Sequence, residues 1–152
     1  MKILMIVMLF VSLGVNADWV YKNKVDPMTD IDASYVYLSS NECNSYRCQF
    51  ITLRSDGDIL ISFGKFMNRK YSIQFIYRFD KEKPVKSSLL LSTSKQGGFI
   101  KDAELKEFYN NIKSHKTLII IGYDYNDHPL TITFDLVDSK NNINKISAFK
   151  HL

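Results

Sequence analysis

A concentrated basic face is missing from this chain. The formal charge is +4, Lys2 included, and the lysines are scattered among Asp and Glu. Nucleic-acid binding surfaces gather Lys and Arg on one side of a domain, so nucleic acid is not expected as a partner. No stretch after the N-terminus is long enough to span a membrane. The greasiest later run is Leu118 to Ile121, against the roughly 20 apolar residues a spanning helix needs. No Gly/Pro/Ser-rich linker divides the chain, and no internal repeat recurs. One domain is therefore expected. A G-x-S-x-G elbow, a P-loop, a Rossmann glycine run, H-E-x-x-H and a Cys/His nucleophile pair are all missing, so no standard catalytic motif supports an enzyme. Histidine is scarce too. His115 falls at a helix C-terminus, where the helix dipole favours a cation. His128 falls in a turn and His151 at the chain end. None of the three suggests a catalytic base, and no cofactor is expected.

The N-terminus is rich in what the rest lacks. Lys2 provides a positive start, Ile3 to Val15 carry no charge, and Val15-Asn16-Ala17 reads as a small-residue cleavage site. This is the layout of a secretory signal peptide. At about 13 residues the apolar run is short for a spanning helix; a retained signal anchor is the alternative. No Cys adjoins the cleavage point, which argues against a bacterial lipoprotein. Residues 1–17 are thus expected to be removed, leaving 18–152 as a single secreted or periplasmic domain that is not membrane-spanning, with a charge near +3.

Export agrees with the cysteines. Cys43 and Cys48 are the only pair, in Cys-Asn-Ser-Tyr-Arg-Cys. In an oxidising compartment such a pair forms a disulfide. The ring is small, so the stabilisation is on the order of 2 kcal/mol, and its expected role is to pin a turn between two strands. The competing redox reading fits poorly, because redox pairs are spaced C-x-x-C. A metal site would need further ligands nearby.

Beyond residue 33 the chain alternates with a period of two. Residues 34–38 are β-branched and aromatic. In 47–53, Gln49, Ile51 and Leu53 share one face, opposite Cys48, Phe50 and Thr52. Asp56-Gly57 then joins 59–63 as a hairpin turn. In 70–79, Tyr71, Ile73, Phe75, Tyr77 and Phe79 share a face, the clearest strand in the chain. Residues 87–93 continue the sheet until Gly97-Gly98 breaks the pattern. Asp102 is expected to cap a helix to about Ile112, whose Leu105, Phe108, Tyr109 and Ile112 form an inward stripe. Residues 116–125 and 130–137 make a last hairpin around Asn126-Asp127-His128-Pro129. Ser139 is placed to cap a short helix carrying Ile143, Ile146 and Phe149 inward. About seven strands joined by hairpins imply antiparallel pairing. The fold class expected is mostly β, either a β-sandwich or a curved antiparallel sheet, with one or two short helices.

Polar residues leave a few candidates. Asp26, Asp30 and Asp32 cluster around Pro27 and Thr29, but lack the Gly and terminal Glu of a calcium loop; turn and capping roles are expected. His128 with Asp124 and Asp127 offers a weaker metal reading against the same turn roles. Arg78 and Asp80 end one strand, and Asp135 lies within another. Arg78 and Asp135 suit a cross-sheet ion pair, either structural or part of a binding patch.

The order of these motifs carries a resemblance. Trp19 is followed by Val25-Asp26-Pro27-Met28-Thr29-Asp30, then Ile76-Tyr77-Arg78-Phe79-Asp80, Ser92-Thr93-Ser94, a helix, and Thr133-Phe134-Asp135-Leu136. Across nearly the whole region after residue 17, this resembles the periplasmic type VI secretion-associated proteins of the VasI/TagO kind. Two features depart: Val137 and Asp138 follow F-D-L where those proteins carry Gly, and no Cys lies near the C-terminus. The resemblance implies an exported accessory protein without catalysis. Its expected partner is another envelope protein, with Trp19, Tyr21, Tyr77, Arg78, Asp80 and Asp135 as candidate contacts. The alternative is a prophage or mobile-element envelope protein that binds a cell-wall glycan or small ligand on the same aromatics. A third reading is a hydrolase built on Asp80 and Asp135. The oligomeric state is left open by the sequence.

Overall fold

Alternating side chains make the sheet, and the sheet makes the core. The computed structural model describes residues 18–44, 47–67 and 72–149. Residues 1–17, expected above to be a signal peptide, together with Tyr71 and His151 lie outside the described residues. The strands are β1 (Trp19–Lys22), β2 (Tyr35–Ser39), β3 (Phe50–Arg54), β4 (Ile59–Ser62), β5 (Ser72–Phe79), β6 (Val85–Leu91), β7 (Gly97–Phe99), β8 (Thr117–Tyr123) and β9 (Pro129–Asp135). They form one antiparallel sheet in the order β1-β2-β3-β4-β7-β6-β5-β8-β9. Of the two mostly-β forms expected, the protein adopts the single sheet.

That sheet curls until its two margins approach. Beyond β2, the Asn41 N–H donates to the Thr133 carbonyl of β9 at 2.9 Å. The Thr133 N–H in turn donates to Glu42 Oε2 at 3.0 Å. These bonds occupy the otherwise open edge of β9 at Thr133, where unpaired backbone groups would invite another strand. The concave face gathers Val36, Leu38, Ile51, Leu53, Ile59 and Ile61 from one half. From the other it gathers Ile73, Phe75, Phe79, Leu118, Ile120 and Phe134, all at most 2 % exposed. Each such side chain contributes roughly 1.5–3 kcal/mol of burial.

Two strands are additional to the seven expected. One is β1, at the margin. The other is β7, a strand made of the very glycines expected to break the sheet. A Cβ on Gly97 would run into the Ile61 carbonyl oxygen, and one on Gly98 would lie 2.5 Å from that of Leu90. The glycines let β7 slot between β4 and β6, pairing Ile61 with Gly98 and Leu91 with Gly98. The Asp56-Gly57 turn is present between β3 and β4, with Gly57 at φ 95°.

Helix α1 (Asp102–Ser114) and the short α2 (Ser139–Ile143), followed by a 3-10 turn at Ser147–Phe149, close one end of the curl. Neither expected side-chain cap forms. Lys101 is the N-cap of α1 and Asp102 its first residue, placing that carboxylate in the first turn, where the dipole favours it. Asp138, at φ 60°, is the N-cap of α2, and Ser139 instead donates from Oγ to the Ile112 carbonyl at 2.9 Å, tying α2 to α1. Of the inward stripe expected, Phe108, Tyr109, Ile112, Ile143, Ile146 and Phe149 are buried, and Leu105 packs against them partly buried. Tyr109 stacks on Phe149 at 4.8 Å and donates its hydroxyl to the Phe149 carbonyl at 3.1 Å.

Candidate functional site: the loop end of the sheet

Alternation sends some of the sequence-derived candidates inward. Trp19 and Tyr77 are only 9 % and 8 % exposed, so neither ring is a surface contact. Both sit on the concave side because their strand neighbours of the same parity build the core. Tyr77 packs against Phe75 at 5.3 Å and Phe108 at 5.2 Å. Burial pushes its hydroxyl pKa up, with Glu104 and Glu107 adding to the effect. Trp19 Nε1–H has no hydrogen-bond partner among the described residues. Tyr21 is partly buried at the margin, where the Lys145 ammonium lies 6.0 Å from its ring centre.

The carboxylates are used locally. Asp80, at φ 44°, accepts from the N–H groups of Lys116 and Thr117 at 3.1 and 2.8 Å and fixes the passage from α1 into β8. Asp135 accepts from the Val137 N–H at 3.0 Å. The expected Arg78–Asp135 ion pair is replaced by this arrangement, because β8 intervenes: Arg78 is opposite Ile119, and Asp135 is opposite Thr117. Direct cross-strand contact reaches one ladder, about 5 Å, and not two. Asp26 caps its own turn through Met28 N–H and Thr29 N–H at 2.8 and 3.1 Å, and Asp32 accepts from Ser34 N–H at 2.8 Å. The Met28 and Thr29 bonds lower the Asp26 carboxyl pKa, and the Ser34 side chain, followed by its N–H, lowers that of Asp32. Arg78 is exposed and borders a cleft of about 200 Å³ on the convex face, floored by Ile76, Ile119 and Ile121.

A larger cleft, about 390 Å³, lies at the end of the sheet opposite the helices. Antiparallel order brings there the β2–β3, β4–β5, β6–β7 and β8–β9 connections. The Cys43–Cys48 disulfide staples the first of them. Gly64 of the second lies so close beneath it that a Cβ would come within 2.6 Å of the Cys48 carbonyl oxygen. The third is joined by Met67 N–H donating to the Lys95 carbonyl at 2.8 Å, and the fourth by Tyr125 N–H donating to the Phe66 carbonyl at 3.2 Å. Four loops distant in sequence are thus brought together by backbone contacts, and the disulfide closes the first of them on itself.

Arg47, Lys65, Phe66, Gln96, Asp124 and Tyr125 line this cleft. Phe66 and Tyr125 are 62 % and 63 % exposed. Asp124 is the electrostatic anchor. Its Oδ1 accepts from Asn126 N–H at 2.9 Å and His128 N–H at 3.1 Å, and Lys65 Nζ lies 3.6 Å from Oδ2. Desolvation raises its carboxyl pKa, but the two N–H donors and the charges of His128 and Lys65 outweigh it and hold it below the ordinary value. Exposed His128, with Nδ1 3.7 Å from Asp124, serves the turn as expected. Among the described residues no group of His, Cys, Asp and Glu has the arrangement to hold a metal ion. Sequence reasoning missed Arg47, Lys65, Phe66 and Tyr125. The readable signal was an aromatic placed in a polar loop, Gly64-Lys65-Phe66 and Tyr125-Asn126-Asp127, where strand alternation does not account for it.

No protein-family model and no curated protein sequence matches the chain. In fold, the protein is similar to the crystal structure of invasion associated protein B from Bartonella henselae, with a TM-score of 0.56 over 90 % of this chain and 95 % of that one, at 11 % identity. Identity this low carries the architecture alone.

Proposed function

We propose that this chain is an exported, non-catalytic binding protein of the cell envelope that engages another envelope protein through the loop end of its sheet. The observation that carries the reading is the pair Phe66 and Tyr125: two large aromatics, each more than half exposed, on adjoining loops held by a stapled framework. Exposed aromatics on rigid loops are what binding hot spots are made of, and they contribute little to folding while in water. The disulfide supports an oxidising compartment, and no described helix is long and apolar enough to cross a membrane. The type VI secretion context rests on the sequence resemblance. Placing a photo-cross-linking amino acid at position 66 in the envelope, then identifying and purifying the adduct partner, tests this reading. Purified partner should bind wild type and lose binding to a Phe66→Ser, Tyr125→Ser double variant; equal binding would refute it.

A second reading, a glycan or small-ligand binder, is favoured by one observation. Tyr35, Tyr37 and Phe50 form an outward aromatic row across β2 and β3, with Tyr37 and Phe50 at 5.6 Å. Thermal stabilisation by muropeptides, absent in a Tyr37→Ala variant, would select it.

A further inference from the structure

Given the reading of the loop end as a binding surface, we propose that its cleft is a carboxylate-binding subsite, taking an acidic group of the partner while Phe66 and Tyr125 hold the apolar residue beside it. Two cationic side chains, Arg47 and Lys65, and one amide, Gln96, face the cleft against a single carboxylate, Asp124. Asp124 is already committed. Its Oδ1 takes two backbone N–H donors, and its Oδ2 faces Lys65. The Arg47 guanidinium, by contrast, has no ion-pair partner among the described residues. The local charge is therefore positive, and the free donors are the forked kind that grips a carboxylate through two parallel bonds.

The surroundings match that chemistry. Arg47 directly precedes Cys48, so the disulfide fixes the backbone that presents it, and the Arg47 N–H is itself held by Asn44 Oδ1 at 3.0 Å. A donor held this way loses less freedom on binding than one on a free loop. Lys65, 3.6 Å from Asp124 Oδ2, offsets that carboxylate and so leaves Arg47 as the cation that gives the cleft its positive charge. The cleft lining combines two cations, Arg47 and Lys65, with two exposed aromatics, Phe66 and Tyr125, and that combination selects a carboxylate adjoining an apolar or aromatic side chain. A chain terminus supplies such a group, and so does an internal Glu or Asp next to an aromatic.

Backbone amide shifts of the isotope-labelled, disulfide-intact protein distinguish these sources. The probes are N-acetyl-phenylalanine, its amide, and the dipeptide amides acetyl-Glu-Phe and acetyl-Gln-Phe. Binding is expected for a carboxylate-bearing probe, with shifts at Arg47, Lys65, Gln96 and Tyr125. It should weaken roughly tenfold in Arg47→Gln and persist in Lys81→Gln, a control on the opposite end. A response to the free acid alone identifies a chain terminus; a response to acetyl-Glu-Phe amide identifies an internal acidic residue. Equal shifts with the uncharged amides would overturn the carboxylate assignment and leave the aromatic pair standing. No shift at the loop end with any probe would also overturn it, while the cross-linking experiment at position 66 judges the binding surface independently.

Discussion

The two ends of this sheet are finished by opposite means. At the helical end, rings close the curl: Phe79 and Phe108 meet at 5.4 Å, Tyr77 and Phe108 at 5.2 Å, Tyr109 and Phe149 at 4.8 Å. At the loop end, closure relies on a disulfide, turns and inter-loop backbone bonds, and two aromatics are left facing water. Buried apolar area supplies stability, while exposed loop area supplies recognition. The same residue type thus serves folding at one end and contact at the other. Phe108→Ala should cost about 3–5 kcal/mol in urea unfolding, the range for a fully buried Phe. Phe66→Ser and Tyr125→Ser should stay within about 0.5 kcal/mol of wild type while abolishing partner binding. A destabilisation at position 66 comparable with that at 108 would break the comparison.

The centre of the sheet belongs with the helical end. Gly98 packs a Cβ-less backbone between Leu89 and the Leu90 carbonyl. Gly98→Ala should therefore destabilise by about 3 kcal/mol, through overpacking against backbone that has nowhere to move. The loop end responds more mildly. Replacing Cys43 and Cys48 together by Ser should cost about 2 kcal/mol, the value for a small ring. Its sharper effect should be weakened partner binding, because Arg47 loses its fixed backbone. Unchanged binding in the double Ser variant would show that the hydrogen bonds between Asn44 and Arg47 suffice to hold Arg47.

The contrast also explains what could be read in advance. The strand carrying Ile73, Phe75, Tyr77 and Phe79 and the stripe of Phe108, Tyr109 and Ile112 were legible because burial imprints a period on neighbouring residues. The disulfide was legible because two nearby cysteines offer one pairing. Strand β7 was not, since its glycines report a close approach by β4 and β6 that no local pattern encodes. Arg78 and Asp135 both lie on outward positions, but which strand separates them is a matter of sheet order. The loop-end cleft needs four connections from residues 40 to 128 to converge, and convergence is set by topology alone. Trp19 and Tyr77 show the reverse error: an aromatic looks like a contact until parity on the strand assigns it to the core.

His115 offers the smallest and most selective probe of the helical end. It caps the C-terminus of α1. Its Nδ1 lies 2.9 Å from the Asn111 carbonyl and 3.1 Å from Ser114 Oγ, and its Nε2 lies 3.1 Å from Glu82. The ring rests 5.2 Å from that of Phe79. Burial acts to lower its pKa, but the Asn111 carbonyl, the Glu82 side chain and the charge of Asp80 together raise it above the ordinary value of 6.5. The folded protein therefore holds this proton more tightly than the unfolded chain. The resulting stability is complete below the unfolded value and disappears as pH rises through the folded one. Wild type should exceed His115→Gln in unfolding free energy by more at about pH 5 than at about pH 8, leaving only a pH-independent packing remainder above the transition. Far-ultraviolet circular dichroism during urea titration at both pH values measures the difference. A gap between the two proteins that is flat or widens toward alkaline pH would mean the His115 bridge to Glu82 does not couple protonation to the closure of this end.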